Sequence, residues 1–352
     1  MRARTGRLVA GLAATAAAVL ALASCGSSSS SGAQGGDGEV VIRVASYGGP
    51  YQEAQSKAFF EPYMKDNPNV KIVQDSPSDN AKLRAMVESG NPQWDLVLLA
   101  NDFGNEAQGK WLEEIDYTIV DKSKLLPNYA GKYRVGADVE GIVVAYRSDQ
   151  LTEAPRTWQD FFDLKRFPGK RALNKFAAGG ALEAALLADG VPQDRLYPLD
   201  VQRALRKLGT IRDSIVWWET AAQSQQLLES GEVSMAMVWV GRAVDAGKVA
   251  PVKINWDTWL SQDAYWMVPK GAANAKEAMK LIDFMTDKEP QLEFMKLTPY
   301  GTVNAEAAED PSVATDPNRP SNHLDTQVKM NDEWWAENLE RTMEEFQAWL
   351  LG

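Results

Sequence analysis

Six of the chain's twelve tryptophans fall in one stretch between Trp217 and Gly271: Trp217, Trp218, Trp239, Trp256, Trp259 and Trp266. Glu219, Asp263 and Tyr265 lie among them, and no histidine does. Aromatic faces beside carboxylates suit an organic cation, because ring quadrupoles and anions both attract ammonium groups. Any single one of these rings serves equally well as core filler. Other chemistries are poorly supplied. Cys25 is the only cysteine and His323 the only histidine, which removes disulfides, cysteine metal sites and a Ser-His-Asp arrangement. His323 reads as a solvated or structural residue. Paired carboxylates such as Glu219 and Asp263 are the stuff of glycoside hydrolysis, yet no Gly-x-Ser-x-Gly nucleophile motif accompanies them. The residues favour binding over catalysis and call for no metal or cofactor.

The N-terminus carries an address. Arg2, Arg4 and Arg7 precede an Ala/Leu/Val run from Leu8 to Ala23, of secretory-signal length and too short to favour a membrane-spanning helix. It ends in Leu22-Ala23-Ser24-Cys25-Gly26, which resembles a bacterial lipobox with Cys25 as the lipidated residue. Residues 1–24 are thus expected to be a lipoprotein signal peptide, and residues 25–39 a flexible Ser/Gly-rich tether. The formal charge is −11, and removing the leader takes away three arginines and no acids. An acidic body argues against nucleic acid as a partner.

Alternating elements must position the aromatic stretch. Val40 to Val44 is a β-branched, strand-like run entering Ser46-Tyr47-Gly48-Gly49-Pro50-Tyr51, whose glycines let a backbone approach something closely. A helix is expected over 53–65, interrupted at Pro62, then a strand over 70–73 and a helix capped by Asp79 and stopped at Gly90. Asp95-Leu96-Val97-Leu98-Leu99 reads as a strand buried on both faces, with Asn101-Asp102-Phe103-Gly104 at its carboxyl end. This order is the signature of an α/β lobe, where ligands sit at the carboxyl ends of the strands. Gly141 to Arg147 is a further strand, Thr157 and Asp160 form a capping box, and Gly179-Gly180 open an alanine-rich helix whose amides should face a cleft. Asp200 caps another helix. Two more are expected, from Asn274 to Met285 and from near Glu289-Pro290. Residues 310–322 should wrap as coil, and a last helix carries Trp335, Leu339, Met343, Phe346 and Leu350 as a docking stripe.

Several motifs stand in an order that is itself informative: Thr157-Trp-Gln-Asp-Phe-Phe-Asp, Phe167-Pro-Gly-Lys-Arg-Ala-Leu, Leu182-Glu-Ala-Ala-Leu-Leu-Ala-Asp-Gly-Val-Pro, Leu196-Tyr-Pro-Leu-Asp-Val, Gln226-Leu-Leu-Glu-Ser-Gly-Glu-Val, Val268-Pro-Lys-Gly, Pro299-Tyr-Gly-Thr-Val-Asn and Trp334-Trp-Ala-Glu-Asn. With these motifs the chain resembles the extracellular solute-binding proteins of bacterial ABC importers, in the branch related to spermidine/putrescine-binding proteins. The resemblance implies an α/β, two-lobed periplasmic-binding-protein fold (type II, Venus-flytrap) with the ligand cleft between lobes. Residues 40–143 plus 266–288 would form lobe 1, and 144–265 plus 289–352 lobe 2. Gly141 to Arg147 and Tyr265 to Pro269 would be the crossing strands.

The resemblance also implies the site. The acidic position on the first helix of the second lobe falls on Glu183, while a second acidic position one turn earlier is Gly180 here. The aromatic of the family's Trp-Asn-Gly turn falls on Trp239, with Val240 replacing the Asn. A carboxylate near the second crossover falls on Asp263, with Gln262 an equal register, and Tyr265 follows it. Tyr47 and Asp102 lie in loops that supply the first lobe's contacts. The implied activity is non-enzymatic: a monomeric, lipid-anchored extracytoplasmic receptor that captures a polyamine for ABC permease subunits. Alternatives with the same fold are a quaternary amine, an amino-acid-like solute, or an anion held by Arg147, Arg242 and helix N-termini. A ligand-presenting sensor lipoprotein is the remaining one.

Overall fold

The computed structural model describes residues 38–352, so the leader, the tether and Cys25 lie outside the described residues. Val40–Ala45 (β1) pairs in parallel with Val70–Asp75 (β2) and with Leu96–Ala100 (β3). The first four residues of β3 are buried, as a strand covered on both faces requires. Ala264–Met267 (β10) runs antiparallel between β3 and Val135–Asp138 (β4), completing a five-stranded sheet of order β2-β1-β3-β10-β4.

The second sheet has six strands. Gly141–Arg147 (β5), buried along its whole length, is flanked by Met235–Trp239 (β8) and Val252–Ser261 (β9). Arg171–Asn174 (β6) and Ile215–Trp218 (β7) extend it on one side and Gln327–Val328 (β11) on the other, giving β11-β9-β5-β8-β6-β7. The first sheet packs into one cluster with Ile42, Phe60 and Trp266, which also takes in one face of the second sheet through Val143, Ala236 and Val238; the other face, with Ile142, Val144 and Met237, joins Leu182, Leu205 and Phe346 in a second cluster.

Two short crossovers join the sheets. Val139–Glu140 leads from β4 to β5, and Gln262–Asp263 leads from β9 back to β10. They run side by side, because Gly141 pairs with Ser261 on one sheet and Asp138 with Ala264 on the other. Gly141 is needed for this approach: a Cβ there would sit 2.1 Å from the Leu260 carbonyl oxygen. The crossovers therefore lie at 139–140 and 262–263, whereas the expected crossing strands Gly141 to Arg147 and Tyr265 to Pro269 belong within single sheets. The expected lobe division also shifts. The helix Lys288–Leu297, expected in lobe 2, packs on lobe 1, where Phe294 stacks on Phe59 with centroids 5.0 Å apart.

Most local expectations match the observed elements. Asp79 caps the helix Asn80–Glu88 by accepting from the Lys82 amide, Thr157 and Asp160 form a capping box, and Asp200 caps Val201–Gly209. The helix after β1 starts earlier than expected, at Gly49, and runs to Asp66 through a π-helical turn at Ser56–Phe60 just before Pro62. The coil expected over 310–322 contains a short helix, Pro311–Ala314, capped by Asp310. The C-terminal helix Asp332–Leu351 buries Trp335 and Phe346 against the second sheet's cluster. No helix among the described residues is long and apolar enough to cross a membrane.

Candidate functional site

The loops at the carboxyl ends of β1 and β3 face the start of the helix Val240–Val249, which follows β8 directly. Between them lies a cleft of about 850 Å³. The first lobe contributes Tyr47, Tyr51 and Tyr300, the second Trp239, Gly241 and Arg242, and the crossovers Glu140 and Gln262. Tyr51 sits at the centre of the aromatic wall, 5.6 Å from Tyr47 and 5.4 Å from Tyr300 by ring centroid. Trp239 stands edge-on to the buried Trp218 and donates its indole N–H to Gln262 at 2.6 Å, which fixes the ring's face. Gly241 has no side chain to crowd this wall; a Cβ there would lie 3.2 Å from the Tyr300 hydroxyl.

Charges in the cleft divide into two kinds. Asp245 is paired with Lys248, Asp316 with Arg319, and Lys296 with Glu293. Arg319 also donates to the Thr298 and Tyr300 carbonyls and so braces the Tyr300 loop. Glu140 and Arg242, both half-buried, differ. Neither forms an ion pair among the described residues, and the Arg242 guanidinium makes one hydrogen bond there, to Gln225 at 3.3 Å. A lone carboxylate and a lone guanidinium thus stand in one cleft. Arg242 also occupies the first turn of Val240–Val249, whose N-cap residue Trp239 supplies no side-chain cap, so free amides and a positive helix end accompany the guanidinium.

Behind Glu140 the wall is acidic and dry. Asp138 is fully buried, accepts from the Tyr51 hydroxyl, and keeps Oδ1 without a hydrogen-bond partner. Burial pushes its carboxyl up to about 7. Asp263, on the second crossover, accepts the Glu140 amide at 3.0 Å and has Lys329 Nζ at 3.6 Å. Burial pushes it up to about 6, against the opposing pull of Lys329. Burial likewise raises Glu140, and the Asp138 and Asp263 charges add to the effect while Arg242 opposes it.

The expected site residues separate on this structure. Tyr47 and Trp239 line the cleft. Glu183 does not: it is 0% exposed, accepts from Tyr197 at 2.7 Å and from the Trp335 indole at 2.8 Å, and anchors the C-terminal helix to the second lobe. Its helix Ala181–Ala188 is buried throughout, and Gly180, at φ 81°, permits close packing against Leu260 instead of presenting amides to the cleft. Asp102 lines a smaller adjoining cavity of about 90 Å³ with Phe176, Trp335 and Gln262. Asp263 lies behind the cleft wall, where the alternative register, Gln262, faces the cavity. Tyr265 is buried in β10 under the Arg134 guanidinium, 4.1 Å from its ring centroid. Arg147, weighed as an anion ligand, is held by Asp149. Of the six clustered tryptophans only Trp239 reaches the cleft; Trp218, Trp259 and Trp266 are core, Trp217 packs on Phe346, and Trp256 stacks on His323.

Sequence reasoning missed Glu140, Tyr51, Asp138 and Tyr300. The signal for Glu140 was its place one residue before the strand Gly141 to Arg147, at the end of a segment joining two sheets.

Residues 58–321 match the model of the bacterial extracellular solute-binding proteins. The chain belongs to that family. It is a two-lobed solute receptor, extracytoplasmic, and not an enzyme. The γ-aminobutyric acid-binding protein of Pseudomonas aeruginosa is 33% identical over 319 residues, covering 88% of this receptor and 90% of that protein. A solved GABA receptor is 38% identical with a TM-score of 0.79, covering 88% of this chain and 97% of the other. The spermidine/putrescine-binding periplasmic protein of Salmonella typhimurium is 26% identical over 215 residues, 59% of this chain and 58% of its own.

Proposed function

We propose that the receptor captures a zwitterionic amino acid whose amino and carboxylate groups stand apart, with γ-aminobutyrate (GABA) as the representative, for import by an ABC permease. The observation that carries this reading is the pair of opposite charges, Glu140 and Arg242, that form no ion pair among the described residues and share one aromatic-walled cleft. Glu140 takes the ammonium, with the faces of Trp239, Tyr47 and Tyr51 adding cation–π attraction. Arg242 and the first amides of Val240–Val249 take the carboxylate. Two charge-assisted contacts at about 1.5–3 kcal/mol each and a desolvated cation–π contact of up to about 2 reach the scale of micromolar affinity, about 8 kcal/mol, before ordering costs. The names of the relatives at 33% and 38% identity support the same ligand class.

A polyamine, the first expectation from sequence, suits this cleft less well. Its second ammonium would face Arg242 and a positive helix end, and the relatives named for polyamines stand at 26% identity or below over part of the chain. Ligand touching both lobes favours the closed state, which the permease would read. The lipobox-like Leu22-Ala23-Ser24-Cys25 supports a lipid anchor at Cys25. Calorimetric titration of the soluble body with GABA, putrescine, spermidine, glutamate and choline tests the ligand reading. GABA should bind at least tenfold more tightly than the diamine; putrescine binding more tightly than GABA would overturn it.

A further inference from the structure

Three carboxyl groups, Asp138, Glu140 and Asp263, meet at the two crossovers with little to neutralise them. Asp138 is fully buried and its Oδ1 has no hydrogen-bond partner among the described residues, an arrangement costly for an ionised oxygen. Titratable side chains surround the group, and Asp332 of the C-terminal helix, itself paired with Arg134, adds its charge near Asp263. The helix Gly49–Gln55 supplies Tyr51, the loop after β1 Tyr47, the loop before β4 Tyr129, and the 299–301 turn Tyr300. Burial and the acids hold the Tyr51, Tyr129 and Tyr300 hydroxyls above their usual range, so they stay neutral, and Tyr51 donates to Asp138. Lys329 reaches Asp263 at 3.6 Å but is itself half exposed, and Arg242 acts on Glu140 from across the cleft. Three negative charges cannot all stand here against these two cations without large cost.

We propose that the Asp138–Glu140 pair is a proton-exchange site: it holds a proton in the free receptor and releases it to solvent when the ligand's ammonium docks. The proposal rests on the ammonium being placed at Glu140. One R–NH3⁺ enters and one H⁺ leaves, so the charge of the pair with its occupant is unchanged and no other reactant is needed. The proton departs from whichever carboxyl of the pair carries it, and Glu140, on the cleft wall, offers its freed oxygen to the ammonium while Asp138 stays tied to Tyr51. The consequence is a receptor that holds an amine well in neutral surroundings and loosely in acid. Because burial holds both carboxyls of the pair above the usual carboxylate range, displacing one proton makes the affinity fall as pH drops, by up to about tenfold per pH unit below that range.

Two measurements test this, one of them independent of the ligand's identity. Potentiometric titration of the ligand-free protein between about pH 5.5 and pH 8.5 should show wild type taking up about one proton more than Asp138→Asn or Glu140→Gln, each first shown to unfold at a wild-type-like temperature. Coincident curves for wild type and a folded variant overturn the proposal. Calorimetry with GABA at about pH 7, in buffers of high and low ionisation heat, should show roughly half a proton or more released per ligand bound, and markedly less for Asp138→Asn. Binding with no proton released overturns the exchange even if the titration curves differ. If GABA produces no binding at all, the amino-acid reading fails instead, and the same two-buffer measurement with putrescine, an ammonium without a carboxylate, decides the exchange.

Discussion

Replacing Arg242 with glutamine separates ligand binding from folding more cleanly than any other change in the cleft. Among the described residues the guanidinium has one hydrogen bond, to Gln225 at 3.3 Å, and no ion pair. Arg242→Gln should therefore alter unfolding free energy by no more than about 0.5 kcal/mol, the range of surface changes that touch no special feature. In the proposed complex the same side chain faces the ligand carboxylate, and a charge-assisted hydrogen bond is worth about 1.5–3 kcal/mol. That is about 10- to 150-fold in Kd, and the remaining amides at the start of Val240–Val249 should keep the loss near the lower end. Putrescine is the control. It has no carboxylate, so removing the guanidinium should leave its affinity unchanged or raise it by relieving repulsion. Calorimetric titrations of both ligands with wild type and variant, beside thermal unfolding of each, provide the three comparisons. GABA affinity unchanged in a folded variant, or the same loss for GABA and putrescine, refutes the placement of the carboxylate.

Trp239→Ala loses ring burial, cation–π attraction and the bond to Gln262, and should weaken GABA by more than Trp239→Phe, which keeps a face; equal losses on titration would show that the ring's face is not used. Glu183→Gln keeps the shape that accepts from Tyr197 and Trp335, so it should leave ligand affinity within about twofold by calorimetry, whereas a tenfold loss would return Glu183 to the site. Asp332 joins the C-terminal helix to the first lobe, accepting from Arg134 at 2.6 Å and Asn101 at 2.5 Å, and Asp332→Asn should enlarge the radius of gyration in small-angle scattering of the ligand-free receptor; an unchanged radius would mean the contact does not bear on lobe closure. Asp138 has a raised carboxyl pKa, so the folded state holds its proton up to higher pH than the unfolded chain does. The stability contribution is full below the unfolded carboxyl range and is lost as pH rises toward about 7. The unfolding temperature of wild type relative to Asp138→Asn should accordingly fall between pH 4 and pH 7, and a gap that widens instead contradicts the assignment.

Local chemistry carried the elements well and the site poorly, for one physical reason. Caps, alternation and apolar runs act over a few residues, so Asp79, Asp200, Thr157 and the strand Leu96–Ala100 could be read directly from their neighbours. Packing acts between segments far apart. The helix Lys288–Leu297 joins the first lobe because Phe294 meets Phe59, a pairing over more than two hundred residues that no local pattern displays. Tryptophan density misled in the same way. A run of aromatic residues marks burial as readily as binding, and five of the six rings serve the core or an inter-element contact while one faces the cleft. Glu183 was assigned by resemblance of motif, but its position is filled from behind by Tyr197 and Trp335, so the carboxylate is spent on architecture.

What distinguishes Glu140 and Arg242 is a negative property, the lack of an ion-pair partner among the described residues, and this becomes visible only when their neighbours are placed. Folding normally pairs a half-buried charge or leaves it in water, because an unpaired one costs free energy. Here the neighbouring cleft charges are paired, Asp245 with Lys248 and Asp316 with Arg319, so pairing was available to the chain and these two residues stand outside it. They also sit on different bodies: Glu140 on a crossover and Arg242 on a helix of the second lobe, facing the tyrosines of the first. A ligand that satisfies both charges while lying against Tyr47, Tyr51 and Tyr300 gains its full interaction only with the lobes together. With the ligand placed as proposed, the unsatisfied charges of the free receptor would give the closed, loaded state its advantage, and a sequence that paired them internally would fold more stably and discriminate less.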